Sequence, residues 1–172
     1  GKPIRWVGNT HDHVDHMGGL RTYLHIGATI VTHKRNRAFY EEELLNYVPR
    51  TLEPDMMTLY QPTEIREGYT MESIAENYII SDFKRHLHIS YVQPLAHVEG
   101  MLMAYLPAAK LAIQSDLYNP PGAGGVLSAG DAAHRSFYDH VKRLKFDVET
   151  IVPIHGQPVP WAEFLKVVGE AR

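Results

Sequence analysis

Short apolar runs separated by turn-forming residues organise the first third of the chain. Ile4 to Val7 reads as a buried strand, and Gly8-Asn9 punctuate its end. Gly18-Gly19 permit close backbone approach and open a helix that runs to about Leu24. Ala28 to Thr32 is apolar and β-branched, the mark of a second strand. Asn36 to Tyr47 is expected to be a helix capped by Asn36, with Phe39, Leu44, Tyr47 and Val48 near a 3.6-residue period. Strands alternating with helices in this way predict a parallel sheet segment joined by right-handed crossovers.

From Pro49 to Pro62 no clean period emerges, and an irregular connection is expected. Beyond Thr63 the pattern changes to alternation. Tyr69, Met71 and Ser73 stand against Thr70, Glu72 and Ile74, followed by Tyr78 to Ile80 and His86 to Val92, with a hairpin turn at Asp82-Phe83-Lys84. These strands are read as one antiparallel meander that leads to His97. Met101 to Leu106 and Leu111 to Ser115 predict a second hairpin about Pro107 to Lys110, with Asp116 at its exit. Asn119 to Gly125 is rich in turn formers and is expected to be a mobile loop. Ala132 to Leu144 is helical, Thr150 to Pro153 is a strand, and Pro160 to Gly169 is a closing helix with proline in its first turn.

The chain has 172 residues, 44% of them hydrophobic, which suits one core and therefore a single globular domain. Seventeen basic and 20 acidic residues give a net charge of −3, with no basic block longer than Lys34-Arg35 plus Arg37, so a nucleic-acid footprint is not expected. No apolar stretch approaches the roughly 18 residues of a membrane span. Cysteine is absent, so any metal shell must be built from histidine and carboxylate.

That last point matters because of Asn9-Thr10-His11-Asp12-His13-Val14-Asp15-His16, where three imidazoles and two carboxylates follow the first strand. Packing does not call for such a cluster; a divalent metal does. Read as an extended loop, it lets His11 and His13 grip one ion while Asp15 and His16 turn toward a second. Further ligands must come from downstream, and His97, Asp116 and His155 each fall at a strand end, where sites are commonly assembled.

The pattern His-x-His-x-Asp-His, then a His 81 residues after His16, an Asp 19 residues later and a His 39 beyond that, resembles the metallo-β-lactamase-fold hydrolase superfamily. Lys2 to Arg5, Gly27 to His33 and Gly100 to Pro107 are similar to a bacterial branch of it. The resemblance implies an α/β fold of the αββα sandwich type. It also implies that the N-terminal sheet half is partly missing, since the ligand motif arrives only ten residues after Gly1. By the same likeness His11, His13 and His97 hold a first metal, Asp15, His16 and His155 a second, and Asp116 bridges them. Flavo-diiron relatives carry Glu where this chain has His13, and many true β-lactamases carry Lys where it has Asn119.

The chemistry implied is hydrolysis of an ester, lactone, thioester or amide bond of a small-molecule substrate, with two zinc ions, or iron or manganese in their place. Asp15 and Asp116 are also expected to act catalytically, orienting the attacking water or relaying its proton. Tyr118 is a candidate for lining the substrate pocket, and His134 for donating to a developing oxyanion. His25, His33, His86, His88 and His140 are expected to be structural or surface residues. Two other readings use the same cluster: a mono-iron oxygenase of the persulfide-oxidising kind on His11, His13, His97 and Asp116, and a non-catalytic metal-binding module.

Overall fold

The computed structural model describes residues 1–44, 53–59, 70–93, 97–122 and 130–171. Contacts group the chain into two compact units, Gly1–Ala75 and Glu76–Arg172.

The first unit is built on a parallel three-stranded sheet. Its strands are β1 (Trp6–Gly8), β2 (Thr29–His33) and β3 (Met71–Ile74), in the order β1-β2-β3. Val7 pairs with Ile30 and Ile30 with Met71, both ladders parallel, as the strand–helix alternation predicts. Helices α1 (Val14–Met17) and α2 (Leu20–His25) connect β1 to β2, and α3 (Arg37–Glu43) and α4 (Met56–Leu59) lie between β2 and β3. Leu20, Leu24, Ile30, Tyr40, Leu44 and Met57 form the core. Arg21, 4% exposed, links α2 to α4: its guanidinium makes a two-pronged ion pair with Asp55 and donates to Leu44 O at 2.8 Å. Its buried charge is thus met by a counter-charge whose side chain is 30% exposed.

Several sequence expectations need correction here. The first strand starts two residues later than Ile4 and is not buried, because among the described residues β1 has a neighbour on one side only, and Ile4 and Trp6 remain 48% and 38% exposed. The cluster after it is not extended throughout, because Val14–Met17 forms a helical turn with Gly18 N–H bonded to Val14 O at 3.0 Å. Asn36 stands at the N-cap position of α3 but its side chain makes no capping bond, because its backbone is helical and not extended as a capping residue requires. Met71–Ile74 belongs to the parallel sheet and not to the meander. Alternation identifies a strand but not its neighbour. The expected helix beyond Leu44, most of the Pro49–Pro62 connection and the start of the alternating stretch lie outside the described residues.

The second unit carries a six-stranded sheet in the order β4-β5-β6-β7-β8-β9. Strands β4 (Asn77–Ser81), β5 (His86–Tyr91), β6 (Leu102–Leu106) and β7 (Leu111–Gln114) form an antiparallel meander. The first turn is held as predicted at Asp82: Oδ1 accepts the N–H groups of Lys84 (3.1 Å) and Arg85 (2.7 Å), and Arg85 pulls the carboxyl down to about 2. Strand β8 (Thr150–Pro153) then pairs parallel to β7, and β9 (Val159–Pro160) pairs antiparallel to β8.

Helices α5 (Ala132–Arg143) and α6 (Trp161–Val167) supply Phe137, Val141 and Phe164 to a core completed by Met101, Met103, Tyr105, Ala112 and Ile151. Pro160 stands as the N-cap of α6, just before its first turn. Asp131 caps α5: its Oδ1 accepts the His134 N–H at 3.0 Å, and the Asp131 N–H donates to His134 Nδ1 at 3.0 Å. Asp131→Ala removes one half of this reciprocal cap and is expected to cost about 1 kcal/mol, read as a lowered urea midpoint with unchanged m-value. Among the described residues no helix is long and apolar enough to cross a membrane.

Candidate metal centre

In the first unit the ligand-rich stretch leaves the C-terminal end of β1. Asn9, 3% exposed, continues the ladder with its N–H on Val31 O at 2.9 Å. Its amide Nδ2 donates to His16 O at 3.2 Å, and its Oδ1 accepts the Tyr40 hydroxyl. Burial pushes the Tyr40 phenol well above its ordinary pKa, so this hydroxyl stays a donor. The loop is therefore tied to the sheet at one end and to the following helical turn at the other.

Within that tie the imidazoles gather. His11 is fully buried, with Nδ1 3.1 Å from Thr10 Oγ1 and Nε2 2.9 Å from His13 Nδ1. The His11 ring centroid is 4.4 Å from that of His13 and 4.3 Å from that of His16. His16, its side chain 3% exposed, has Nε2 3.4 Å from Asp15 Oδ2, while the Asp15 side chain is 58% exposed. The helical turn Val14–Met17 makes Asp15 and His16 successive residues of one helix, and His16 is drawn inward through its own carbonyl by Asn9.

In the second unit the parallel pair β7 and β8 sets the geometry. Gln114 and Pro153 are register partners, so Asp116 and His155, each two residues further on, leave the same edge side by side. Gln114 is fully buried and braces this edge: its Oε1 accepts the N–H groups of Leu117 (3.0 Å) and Tyr118 (3.1 Å), and its backbone carbonyl accepts the Ile154 N–H at 2.9 Å. Asp116 has a left-handed backbone, φ 57°, which aspartate tolerates better than most residues. His97 precedes the turn into β6. Its Nε2 is 3.5 Å from Asp116 Oδ2, and the Nε2 of His155 is 3.5 Å from the other oxygen, Asp116 Oδ1.

These separations suit metal ligation. Two nitrogen or oxygen ligands each 2.0–2.1 Å from one tetrahedral ion stand about 3.3 Å apart. The His11–His13 distance of 2.9 Å and the two 3.5 Å distances at Asp116 fall on either side of that value. The donors are imidazole and carboxylate without thiolate, a set suited to zinc, iron or manganese. The chain thus carries a candidate His/Asp metal-binding group.

Tyr118 and His134 are placed together in the core of the second unit. Tyr118 is 3% exposed, its ring 5.3 Å from that of His134 and 4.9 Å from that of Phe164. Burial raises the Tyr118 phenol and lowers His134, whose Nδ1 is already taken by the α5 cap. Of the other histidines, His33 closes β2 on Ala75 O at 3.0 Å, His88 packs edge-on against Tyr105 and Phe146, and His86 is exposed. Sequence reading took Asn9 only as punctuation and passed over Gln114. The available signal was a side-chain amide at or beside the end of a strand that leads into a ligand.

No protein-family model matches the chain, and no curated protein matches it. Solved structures do. A metallo-β-lactamase from Pontibacter korlensis aligns over 98% of this chain and 69% of its own, at 18% identity and TM-score 0.64. One from Hirschia baltica aligns over 96% and 66%, at 20% identity and TM-score 0.59. The metal-soaked Flv1 flavodiiron core from Synechocystis sp. PCC6803 aligns over 94% and 41%, at 15% identity and TM-score 0.64. The chain therefore spans between about two fifths and two thirds of the length of these structures. At such identities the likeness is one of fold: the chain has the metallo-β-lactamase fold, a mixed α/β architecture that metallo-β-lactamases share with flavodiiron cores.

Proposed function

We propose that this metallo-β-lactamase-fold chain is a metal-dependent hydrolase with a dinuclear centre. On this reading His11, His13 and His97 hold one ion, Asp15, His16 and His155 hold a second, and Asp116 bridges the two. The observation that carries it is the placement of the two oxygens of Asp116, each 3.5 Å from the Nε2 of a different histidine, His97 on one side and His155 on the other. A carboxylate serving one ion has no need of a separate imidazole at each oxygen. A bridging carboxylate does, and this favours two ions over the single iron of a persulfide-oxidising oxygenase.

Zinc, when bound by such ligands, lowers the pKa of water toward about 7 and polarises a carbonyl or phosphoryl oxygen. The protein's own residues supply the rest. His11, His13 and His97 would ligate as uncharged donors and so would leave the charge of the first ion unneutralised. Asp116 offsets part of that charge and orients the attacking water through whichever oxygen lone pair is not engaged. Asp15, whose side chain is 58% exposed against 13% for Asp116, would be the acidic ligand open to solvent and so the one able to pass a proton on. The substrate class is a small ester, lactone, thioester or amide, and the charge balance of −3 argues against a polyanion.

The test is metal analysis by anomalous scattering on crystals of the native protein, together with a panel of generic esters and lactones. Two zinc ions per chain with turnover of a panel member is the expected result. Two irons with dioxygen reduction, or one iron with sulfite production, would replace the hydrolase by an oxidoreductase of the same fold. Metal uptake without any turnover would leave a binding module.

A further inference from the structure

The geometry points to Asn9 as a positioning residue for one ion alone, the ion that His16 holds, with Tyr40 fixing the direction in which Asn9 acts. This rests on the dinuclear reading above and deepens it. Asn9 is buried and held at three points: by its N–H on Val31 O, by Nδ2 on His16 O, and by Oδ1 under the Tyr40 hydroxyl. The orientation of the amide has only one solution. A backbone carbonyl can only accept, so the Nδ2 end must face His16, and Oδ1 is left for Tyr40, itself fully buried in the core with Leu20, Leu24 and Ile30.

The bond acts on α1, a single turn of four residues that is too short to hold its own shape. The turn is otherwise secured by the His16 and Met17 N–H groups on His13 O, both at 3.0 Å. Asn9 Nδ2 fastens the other side of the same turn at the carbonyl of His16. The amide reaches none of the His11 or His13 backbone in this way. The His11 ring is fixed separately by Thr10 Oγ1 at 3.1 Å. The consequence is selective. Disturbing Asn9 loosens the residue that presents the His16 ring, reaches His13 only through the turn that the His13 carbonyl anchors, and leaves the His11 ring with its own support.

Two substitutions separate the parts. Asn9→Asp keeps size and shape and still accepts from Tyr40, but it sets a carboxylate oxygen against His16 O where a donor stood. Tyr40→Phe removes the hydroxyl that holds Oδ1 and leaves the amide fastened at Nδ2 alone. Outer partners of metal ligands are generally worth about 10–100-fold in metal affinity. The experiment titrates cobalt(II) and zinc(II) out of the native protein and each variant with a competing chelator, and follows the cobalt(II) ligand-field spectrum. His16→Ala identifies which of the two release steps belongs to the ion in question. Leu24→Ala is the control, since it opens a cavity in the same core without touching this network.

The expected result is that Asn9→Asp weakens the step abolished by His16→Ala by roughly 10–100-fold and shifts its spectrum. Tyr40→Phe should do the same to a smaller degree, and the other step should stay unchanged within about threefold, as both steps should in Leu24→Ala. Equal weakening of both steps, or no weakening of either, overturns the assignment while leaving the dinuclear reading intact. Native protein that takes up fewer than two ions removes that reading, and this one with it.

Discussion

Asp116→Asn is expected to leave the protein folded, to reduce its metal content from two ions to no more than one, and to lower kcat/KM on the order of a thousandfold. The fold should survive because the position has φ 57°, and asparagine, like aspartate, is among the few side chains that tolerate the left-handed region. Alanine would add backbone strain and blur the result. Asparagine retains one carbonyl oxygen but loses the charge and the second anionic oxygen. The two imidazoles at 3.5 Å on opposite oxygens are then no longer served by one group. Since mere supporting partners of metal ligands are worth about 10–100-fold, a shared ligand should be worth more. The measurement is elemental analysis beside steady-state kinetics on whichever ester or lactone the native protein turns over. Two ions retained at native affinity would sink the bridging role. Asp15→Asn provides the contrast, because it removes a ligand from one ion only and should leave the other bound.

The parts of the centre that were legible in the sequence are those in which residue type alone carries the chemistry. Five histidines and two aspartates at or beside the ends of elements mark a candidate ligand set by residue type alone, and the strand Thr150–Pro153 could be bounded because a proline closes its β-branched run Thr150-Ile151-Val152. The hairpin at Asp82 was equally plain, since the turn is built by the side chain of that residue. What could not be read is what depends on neighbours. Alternation over Met71–Ile74 gives the pleat, but the choice between β2 and β4 as partner is made by chain connections far away in sequence. The exposure of β1 follows from its place at the end of the sheet order, which no local pattern encodes. Asn9 and Gln114 look like ordinary loop formers until their amides are seen to hold the backbone of ligand-bearing turns. His134 was singled out for chemistry because it begins a helix, and that same position makes it the second half of the α5 cap.

The second large effect expected is a loss of stability between about pH 6.5 and pH 4 caused by one histidine. His140 is fully buried on α5, with Nε2 2.9 Å from Ser90 Oγ, and its Nδ1 accepts the Gln93 N–H at 3.3 Å. Arg143 Nη2 also faces Nδ1, at 3.0 Å. With donors at Nδ1, the ring proton sits on Nε2 and points at the serine, and no lone pair is left for a second proton. Burial first, and the Arg143 charge second, lower its pKa from 6.5 to about 4. The unfolded chain takes up a proton below pH 6.5 and the folded chain does not until about pH 4, so stability is fully present above 6.5 and falls as pH drops through that window. A pKa lowered from 6.5 to about 4 sets the loss over this window at roughly 3 kcal/mol. His134, lowered by its burial, adds a contribution of the same sign. Asp55 does not intrude, because its carboxyl, held well below the usual range by Arg21, contributes stability that is lost only below its unfolded value of 3.8. His140→Gln isolates the effect: glutamine can accept from Gln93 and donate to Ser90 but does not titrate. The candidate metal-ligand histidines are the same in both proteins and cancel in the comparison. Urea unfolding at pH 7, 6, 5 and 4 should show the native protein losing roughly 3 kcal/mol more than the variant across the series. Parallel pH profiles would mean that His140 is already solvated or protonated in the fold, and the buried neutral ring would have to be abandoned.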